Sequence, residues 1–549
     1  MTASRPRATA ELSLLIDVGS AWTKASVIAR SRGRWRIAAH AAQPTSWDIA
    51  ELWRALAQRL AAGADRRLHD RLEALIADAP RIECHTPRRP ARLAVAAVSR
   101  DISGAAARRV AESAGWVVAE VASMDDDRSL AGRLGALQSA GVDGWLLAGG
   151  FDDARSEQAI EMAALVVAAR GGGPSPVIWA GSSLLADEVT ALFEPGAVSV
   201  VANPRPGPDQ PAAGPLRRHL EALLQEIVEP GGSIHLAPIS FRRAVTALAR
   251  ASSLRILGVD VGARYANWVL SEADGSAESR IFASGGLSSP SLTGPGGPGR
   301  LTRGIPHTID ELAVADALQN LRARPGTLPQ TDDELAVTHG SVRALLAQMA
   351  ADEGGGGVDL IIGSGRTLSS TPNPGQAAQL LLDGLRPLGV TQLAIDPAGA
   401  LSPLGSLDDV EIGEGIATVR DDLIVPLGAA VVCRGGRSGQ VAMRVTVHRT
   451  GWPVVGPIEV RSGSVQIVPL GRGQSAELEI ELEGDASLGT ARRTRHARSA
   501  VQGGSVGLVL DARDVPMVVP RRSDDRRSVL ASWRDVFGRE AQMSAGGIE

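Results

Sequence analysis

IDVGSAWTKASVIA, residues 16–29, holds Lys24, the only lysine among 549 residues; the other 56 basic residues are all arginine. The stretch reads as a β-branched strand, a tight Asp-x-Gly turn and a second strand, which is the signature of a β-hairpin. Gly19 lets the backbone approach an anion closely, Ser20 and Thr23 add hydroxyls, and Lys24 supplies a compact positive charge of the kind that reaches nucleotide phosphates. Asp17, at the end of the strand, is the carboxylate that would hold Mg²⁺ through water, since Mg²⁺ keeps several waters and favours carboxylate and phosphate oxygens. The alternative is an ordinary hairpin with a solvated lysine on its second strand.

A second stretch, LRILGVDVGARYANWVL from residue 254, repeats the pattern. Asp260 and Gly262 repeat the backbone requirement, whereas Ala263 and Arg264 stand where hydroxyls would be expected; Arg264 can still bind phosphate bidentately. Two hairpins so far apart indicate two related domains rather than a short-period repeat array. A surviving fold element without a ligand explains the second hairpin equally well. A third stretch, LIIGSGR from Leu360, is a strand running into a glycine turn, where Gly363 and Gly365 allow a flat base or ribose to lie against the backbone. A fourth, GGFDD from Gly149, follows a strand and offers Asp152 as a candidate catalytic carboxylate or as the cap of a following helix.

Between the hairpins, short apolar strands such as RLAVAAVS and GWLLAGG alternate with helix-length stretches, which predicts βα units and a largely parallel sheet. Beyond residue 440 the pattern changes to alternating apolar and polar residues between Gly/Pro turns, the mark of half-exposed antiparallel strands. The expected organisation is a tail over 1–10, α/β domain I over 11–205, a linker with connecting helices over 206–253, α/β domain II over 254–436, a small β-barrel or sandwich over 437–524, and a C-terminal helix and tail over 525–549. The Pro/Gly-rich segment 287–304 is expected to be a mobile loop.

Hydrophobic content of 44%, charged content of 21% and a net charge of −4 suit an ordinary globular protein. The arginines are scattered among similar numbers of acids, so nucleic acid is not an expected partner. The two cysteines, Cys84 and Cys433, are far apart, so reduced thiols and a cytoplasmic setting are expected. No run of about 18 apolar residues predicts a membrane span.

The order of these elements resembles the actin, sugar kinase and heat-shock chaperone ATPase fold, and within it most closely the MutL family of glutamate mutase accessory proteins, distinct from the mismatch-repair protein. That family opens with D-x-G-S-T-x-T-K, here Asp17 to Lys24. An A-A-R-R helix (Ala106 to Arg109), an L-L-x-G-G-x-D segment (Leu146 to Asp152), a P-V-I-x-A-G strand (Pro176 to Gly181) and an R-A-V helix (Arg243 to Val245) follow in order, then the late G-S-G and the Asn373–Pro374 helix start. The resemblance covers residues 12–435 and implies two actin-like, ribonuclease H-like α/β domains plus a small all-β domain. It implies ATP or ADP with Mg²⁺ as ligands, with Asp17, Gly19, Ser20, Thr23 and Lys24 at the phosphates and Gly363 and Gly365 near the adenosine. It implies subunits of an adenosylcobalamin-dependent mutase as partners, assisted or reactivated by this chain. The second hairpin departs from the family's D-x-G-G-A-T-T-D, and G-S-G-R with Arg366 replaces G-x-G-G, so slow or absent hydrolysis is expected. A non-catalytic scaffold and a small-molecule kinase are the alternatives.

Overall fold

The computed structural model describes residues 12–543 except 32–33, 63–65, 230–234, 351–356, 409–410, 414, 417–421 and 490–493. The expected tail over 1–10 lies outside them. By internal contacts the chain divides into two units: residues 1–86, 240–278 and 285–549 form one, and residues 87–239 with 279–284 form the other. The division falls between residues 86 and 87 and between 239 and 240, with 279–284 returning to the second unit. Both hairpins belong to the first unit, and the intervening βα segment stands as a unit of its own.

The first hairpin is β1 (Leu12–Val18) and β2 (Trp22–Ser31), extended by β3 (Arg34–Pro44), with β4 (Arg81–His85) parallel to β1. Alternate residues of β1 are buried on opposite faces. Leu14 and Ile16 pack with Leu52, Trp53 and Leu56 of the helix Ile49–Leu60, while Leu15 joins a core with Phe241, Val245 and Leu248 of the helix Ala237–Ser252. Burial on both faces explains why LSLLI is a continuous apolar run rather than an alternating one. Asp48 caps the helix Ile49–Leu60 by accepting the Ala50 N–H at 3.0 Å.

The second unit is an all-parallel sheet of β5 (Arg92–Ala97), β6 (Val117–Ser123), β7 (Gly144–Ala148), β8 (Val177–Trp179) and β9 (Val198–Val200), in the order β6-β5-β7-β8-β9. Its central strands β5, β7 and β8 are buried between helices, as parallel sheets require. One core joins Val110 and Ala111 to Leu216 and Leu220; the other joins Met162 and Val166 to Leu137.

After a two-residue strand, β10 (His235–Leu236), the first unit resumes with the second hairpin, β11 (Ile256–Val261) and β12 (Ala266–Ser271); β13 (Ala277–Phe282) follows, with residues 279–282 counted in the other unit, and then β14 (Leu360–Ser364), β15 (Gly389–Ile395) and β16 (Val425–Val432). β14 lies parallel to β11, and β15 parallel to β14. An antiparallel hairpin continued by parallel strands occurs in both sheets, as expected of the actin-like α/β class. Segment 287–304 is not a bare loop: short helices Pro290–Thr293 and Gly297–Thr302 occupy it, with Leu292 and Leu301 buried.

The C-terminal strands are β17 (Val441–His448), β18 (Val455–Arg461), β19 (Val465–Val468), β20 (Ser475–Leu482), β21 (His496–Gln502) and β22 (Gly507–Asp511). Four of them form an antiparallel sheet, β18-β17-β20-β21, and this is the small all-β element expected. The other two do not join it: β22 pairs parallel with β16, and β19 pairs with β22, so both extend the sheet of the second hairpin. Complete burial of GLVLD is the reason, since a strand covered on both faces suits the interior of the larger sheet. The two sheets enclose a shared core of Val431, Leu508 and Leu510 with Val445, Leu478 and Ile480. A buried ion cluster then ties on the helix Ser523–Met543. Arg513 bonds Asp511 (2.8 Å) and Asp383 (2.7 Å), and its guanidinium lies 5.1 Å from the ring centre of Trp533.

Candidate functional site

Asp17 and Lys24 face each other directly across the first hairpin. The Lys24 ammonium donates to Asp17 Oδ2 at 3.0 Å, and the two side chains are only 12% and 9% exposed. The turn is closed by the Gly19 N–H donating to Trp22 O at 3.0 Å. Thr23 is buried, and its hydroxyl donates to Thr45 Oγ1, which in turn donates to Gly19 O at 2.8 Å. Thr23 therefore braces the turn, while Ser20 is exposed at its tip.

In the second hairpin Asp260 faces Asn267 at the same register position. Asn267 Nδ2 donates to Asp260 Oδ2 at 3.2 Å, and its buried Oδ1 has no hydrogen-bond partner. The carbonyls of this turn are occupied: Leu287 N donates to Gly262 O, Gly286 N to Arg264 O, and Ser288 N to Ala263 O. Gly363 is buried within β14. Gly365, with φ of +99°, is pressed against the hairpin so closely that a Cβ would lie 2.4 Å from Val261 O. The late glycine turn is thus shaped by its packing on the Asp260 strand.

Sequence reasoning missed Asp396, at the end of β15. Its oxygens accept the Ala400 and Leu401 N–H groups at 3.0 and 3.1 Å, and the turn they stabilise carries Gly399 against the Lys24 stem. Ser26 Oγ donates to Ala398 O at 3.3 Å, tying the turn to the first hairpin. The sequence did contain a signal, since TQLAID is another apolar strand ending in Asp before a glycine turn; the lack of a hairpin after it concealed the likeness. Three buried carboxylates, from the ends of β1, β11 and β15, thereby share the field of one ammonium.

The electrostatics follow from burial and this arrangement. Burial pulls the Lys24 ammonium toward deprotonation, but Asp17, Asp260 and Asp396 outweigh it and hold it above the usual lysine range. Burial pushes Asp260 up to about 6, with Lys24 opposing and Asp17 and Asp396 reinforcing the rise. Burial also raises Asp396, against the two N–H bonds and Lys24. The Cys84 thiol, 3.9 Å from Asp17 Oδ1, is pushed well up by burial and by that carboxylate, so it stays protonated. Arg366, just after the late glycine turn, stacks 4.6 Å from the centre of the Trp22 ring, and its buried Nε has no hydrogen-bond partner. Burial and the charge of Arg59 both lower its pKa.

Asp152 lies in the other unit. Its Oδ1 accepts from Ser183 N at 3.3 Å and Asn203 Nδ2 at 3.1 Å, so it holds a turn together there. Among the described residues no group of three or more His, Cys, Asp and Glu side chains could hold a metal ion. The carboxylate oxygens present suit Mg²⁺ only in company with waters and phosphate oxygens, the usual manner in which that ion is held.

A family model described as MutL protein matches residues 13–278, from the first hairpin through the parallel unit and the second hairpin. Over those residues the chain is similar to the MutL family. Among curated proteins none matches. Three solved structures are similar at low identity. The activator of the 2-hydroxyisocaproyl-CoA dehydratase from Clostridium difficile, with bound ADPNP, is 6% identical over 75% of this chain and 97% of its own, with a TM-score of 0.25. Component A of the Acidaminococcus fermentans (R)-2-hydroxyglutaryl-CoA dehydratase is 8% identical over 75% and 98%, TM-score 0.24. Gluconate kinase from Lactobacillus acidophilus is 10% identical over 74% and 92%, TM-score 0.26. The MutL match contains Asp17, Lys24, Asp260 and Asn267; Asp396 and the late glycine turn lie beyond it.

Proposed function

We propose that this MutL-like chain is a nucleotide-binding accessory protein for an adenosylcobalamin-dependent mutase of the glutamate mutase type, acting in the cytoplasm. One observation carries the reading: the single lysine of the chain is buried among three carboxylates where the two hairpins meet a glycine turn. An ammonium so placed is charged at every physiological pH and exchanges one anionic partner for another. When a nucleotide binds, Lys24 passes from Asp17 to phosphate oxygens, assisted by Gly19 and Ser20 at the turn. Asp17, released from Lys24, is the carboxylate that would hold Mg²⁺ through water. Bound Mg²⁺ would neutralise phosphate charge. In this reading the base and ribose lie near Gly363, Gly365 and Arg366.

Turnover by such a site is slow in this reading. Asp260, at about 6, is the group whose acidity best suits taking a proton from water near neutral pH, but Asn267 already bonds one of its oxygens. The second turn contributes little, because Ala263 stands where a hydroxyl donor would be expected and Gly286–Ser288 packs across the turn. The reading supports nucleotide-gated docking on the mutase, with binding and release of the nucleotide shifting affinity for the partner. That cover also favours a second reading, a pseudo-ATPase scaffold that binds without hydrolysing. No helix among the described residues is long and apolar enough to cross a membrane.

Calorimetric titration with MgATP and MgADP tests the proposal. Wild-type protein should bind and Lys24→Met should not, with circular dichroism confirming that the variant remains folded. Binding without phosphate release gives the scaffold reading; no binding by wild type rejects both.

A further inference from the structure

The parallel unit has a second crevice that the nucleotide reading does not use. Numbered within the unit, its strand order β6-β5-β7-β8-β9 is 2-1-3-4-5. The helix after β5, Ala105–Ser113, shares a core with the helix Ala213–Val228, whereas the helices after β6 and β7, Leu130–Ser139 and Glu157–Arg170, share the core on the opposite face. The chain therefore leaves β5 toward one face and β7 toward the other. In open α/β sheets the crevice between two such strands, beyond their carboxyl ends, is where ligands bind.

A cavity of about 170 Å³ lies there. Val98 and Ser99 after β5, Gly150 and Phe151 after β7, and Ile102 and Ala106 at the start of the first helix form its walls. The crevice is built in advance of any ligand. Asn203 Nδ2 donates to Gly150 O at 2.9 Å and to Asp152 Oδ1, and Asn203 Oδ1 accepts from Arg205 N at 3.0 Å, so one buried amide ties the segment after β7 to the segment around Arg205. This also accounts for Asp152, which supports the crevice wall.

The chemistry of the walls selects the ligand. Doubly wound sheets commonly place a phosphate at the first helix start, but here Asp125 already occupies those donors: Oδ1 accepts the Arg100 N–H and Oδ2 the Ser99 hydroxyl, both at 2.8 Å. A carboxylate in that position repels a second anion. Arg205 also lines the cavity, and its guanidinium is engaged by Pro208 O. What remains is a mostly apolar slot lined by Val98, Ile102, Ala106 and Phe151. We propose that this crevice binds a flat, uncharged heteroaromatic group of one or two rings, such as a purine or a flavin ring, independently of the Lys24 site.

Saturation-transfer NMR on the full chain with adenosine, riboflavin and benzimidazole tests this. At least one should bind, excess MgATP should not displace it, and adding phosphate, as in FMN against riboflavin, should weaken binding. Ala106→Phe, which fills the slot, should reduce affinity at least tenfold while leaving MgATP binding unchanged; Phe151→Ala should reduce it too, which guards against misfolding of the first variant. Failure of all three probes to bind overturns the proposal, as does binding that MgATP displaces or that survives both substitutions. A phosphate-bearing probe that binds more tightly than its neutral counterpart overturns the choice of ligand class.

Discussion

The two hairpins of the first unit place an aspartate at the same register position and differ in what faces it: Lys24 opposite Asp17, Asn267 opposite Asp260. Where the partner is charged, the aspartate sits in an ion pair. Where the partner is a neutral amide, burial moves the aspartate toward protonation. A repeated backbone thus yields one ion-paired aspartate and one aspartate pushed toward protonation, separated by a single side-chain choice. The sharpest way to break the comparison is to make the first pair resemble the second. Lys24→Met leaves Asp17 buried without its cation and near two further carboxylates, so stability should fall by about 3–5 kcal/mol. Pairing it with Asp17→Asn should restore most of that loss in urea denaturation without restoring nucleotide binding. A single variant within about 1 kcal/mol of wild type would mean that the pair is effectively solvated.

A smaller effect, of opposite sign, separates the aspartates by pH. Asp260 titrates at about 6 in the folded chain against about 3.9 unfolded. Between those values the folded state binds more protons, so its stability falls as pH rises from about 4 to 6. Lys24 adds nothing to this slope: its folded value is raised, so its contribution is complete below about 10.4 and is lost only above that. Asp260→Asn should therefore stabilise the protein at pH 7 by on the order of 2 kcal/mol and flatten the stability profile between pH 4 and 7. Asp396, raised in the same direction, supplies a remaining slope of the same sign. An unchanged profile in Asp260→Asn would show that the carboxylate ionises freely in the folded chain.

How much of this was legible beforehand depended on whether a feature was local. The lone lysine, both Asp-x-Gly turns and the late glycine turn are visible because each requirement falls within a few residues. Asp396 was not singled out because its role depends on a turn brought to Lys24 from more than 370 residues away, through Ser26 and Ala398. Which sheet β19 and β22 join is hidden in the sequence for a related reason. Period-two patterning shows that a segment is a strand, but not which of two sheets it joins, and only the burial of every residue of β22 marks it as interior. Thr23 has the right residue type for phosphate, yet its hydroxyl serves Thr45. The parallel unit was legible as βα units, but its separation from the hairpin sheet was not, because strand pairing across a sheet leaves no sequence period.

The finest distinction between the hairpins lies in their turn glycines, and it yields the smallest effect. Each donates its N–H to the carbonyl three residues on, Gly19 to Trp22 and Gly262 to Tyr265, at 3.0 and 2.9 Å. A Cβ at Gly19 would fall 2.5 Å from Trp22 O, whereas one at Gly262 would fall 3.0 Å from Tyr265 O. Both neighbours are backbone, which does not yield by rotating a side chain, so the shorter approach requires the larger shift. Gly19→Ala should therefore destabilise the protein by roughly 1 kcal/mol more than Gly262→Ala. It should also weaken MgATP binding, because the shift displaces the turn that presents Ser20, while Gly262→Ala should leave binding nearly as it was. Parallel urea denaturation and calorimetry on the two variants compare the hairpins at equivalent positions. Equal losses of stability and of affinity would mean that both turns contact the nucleotide, and that the charged first pair alone does not define the site.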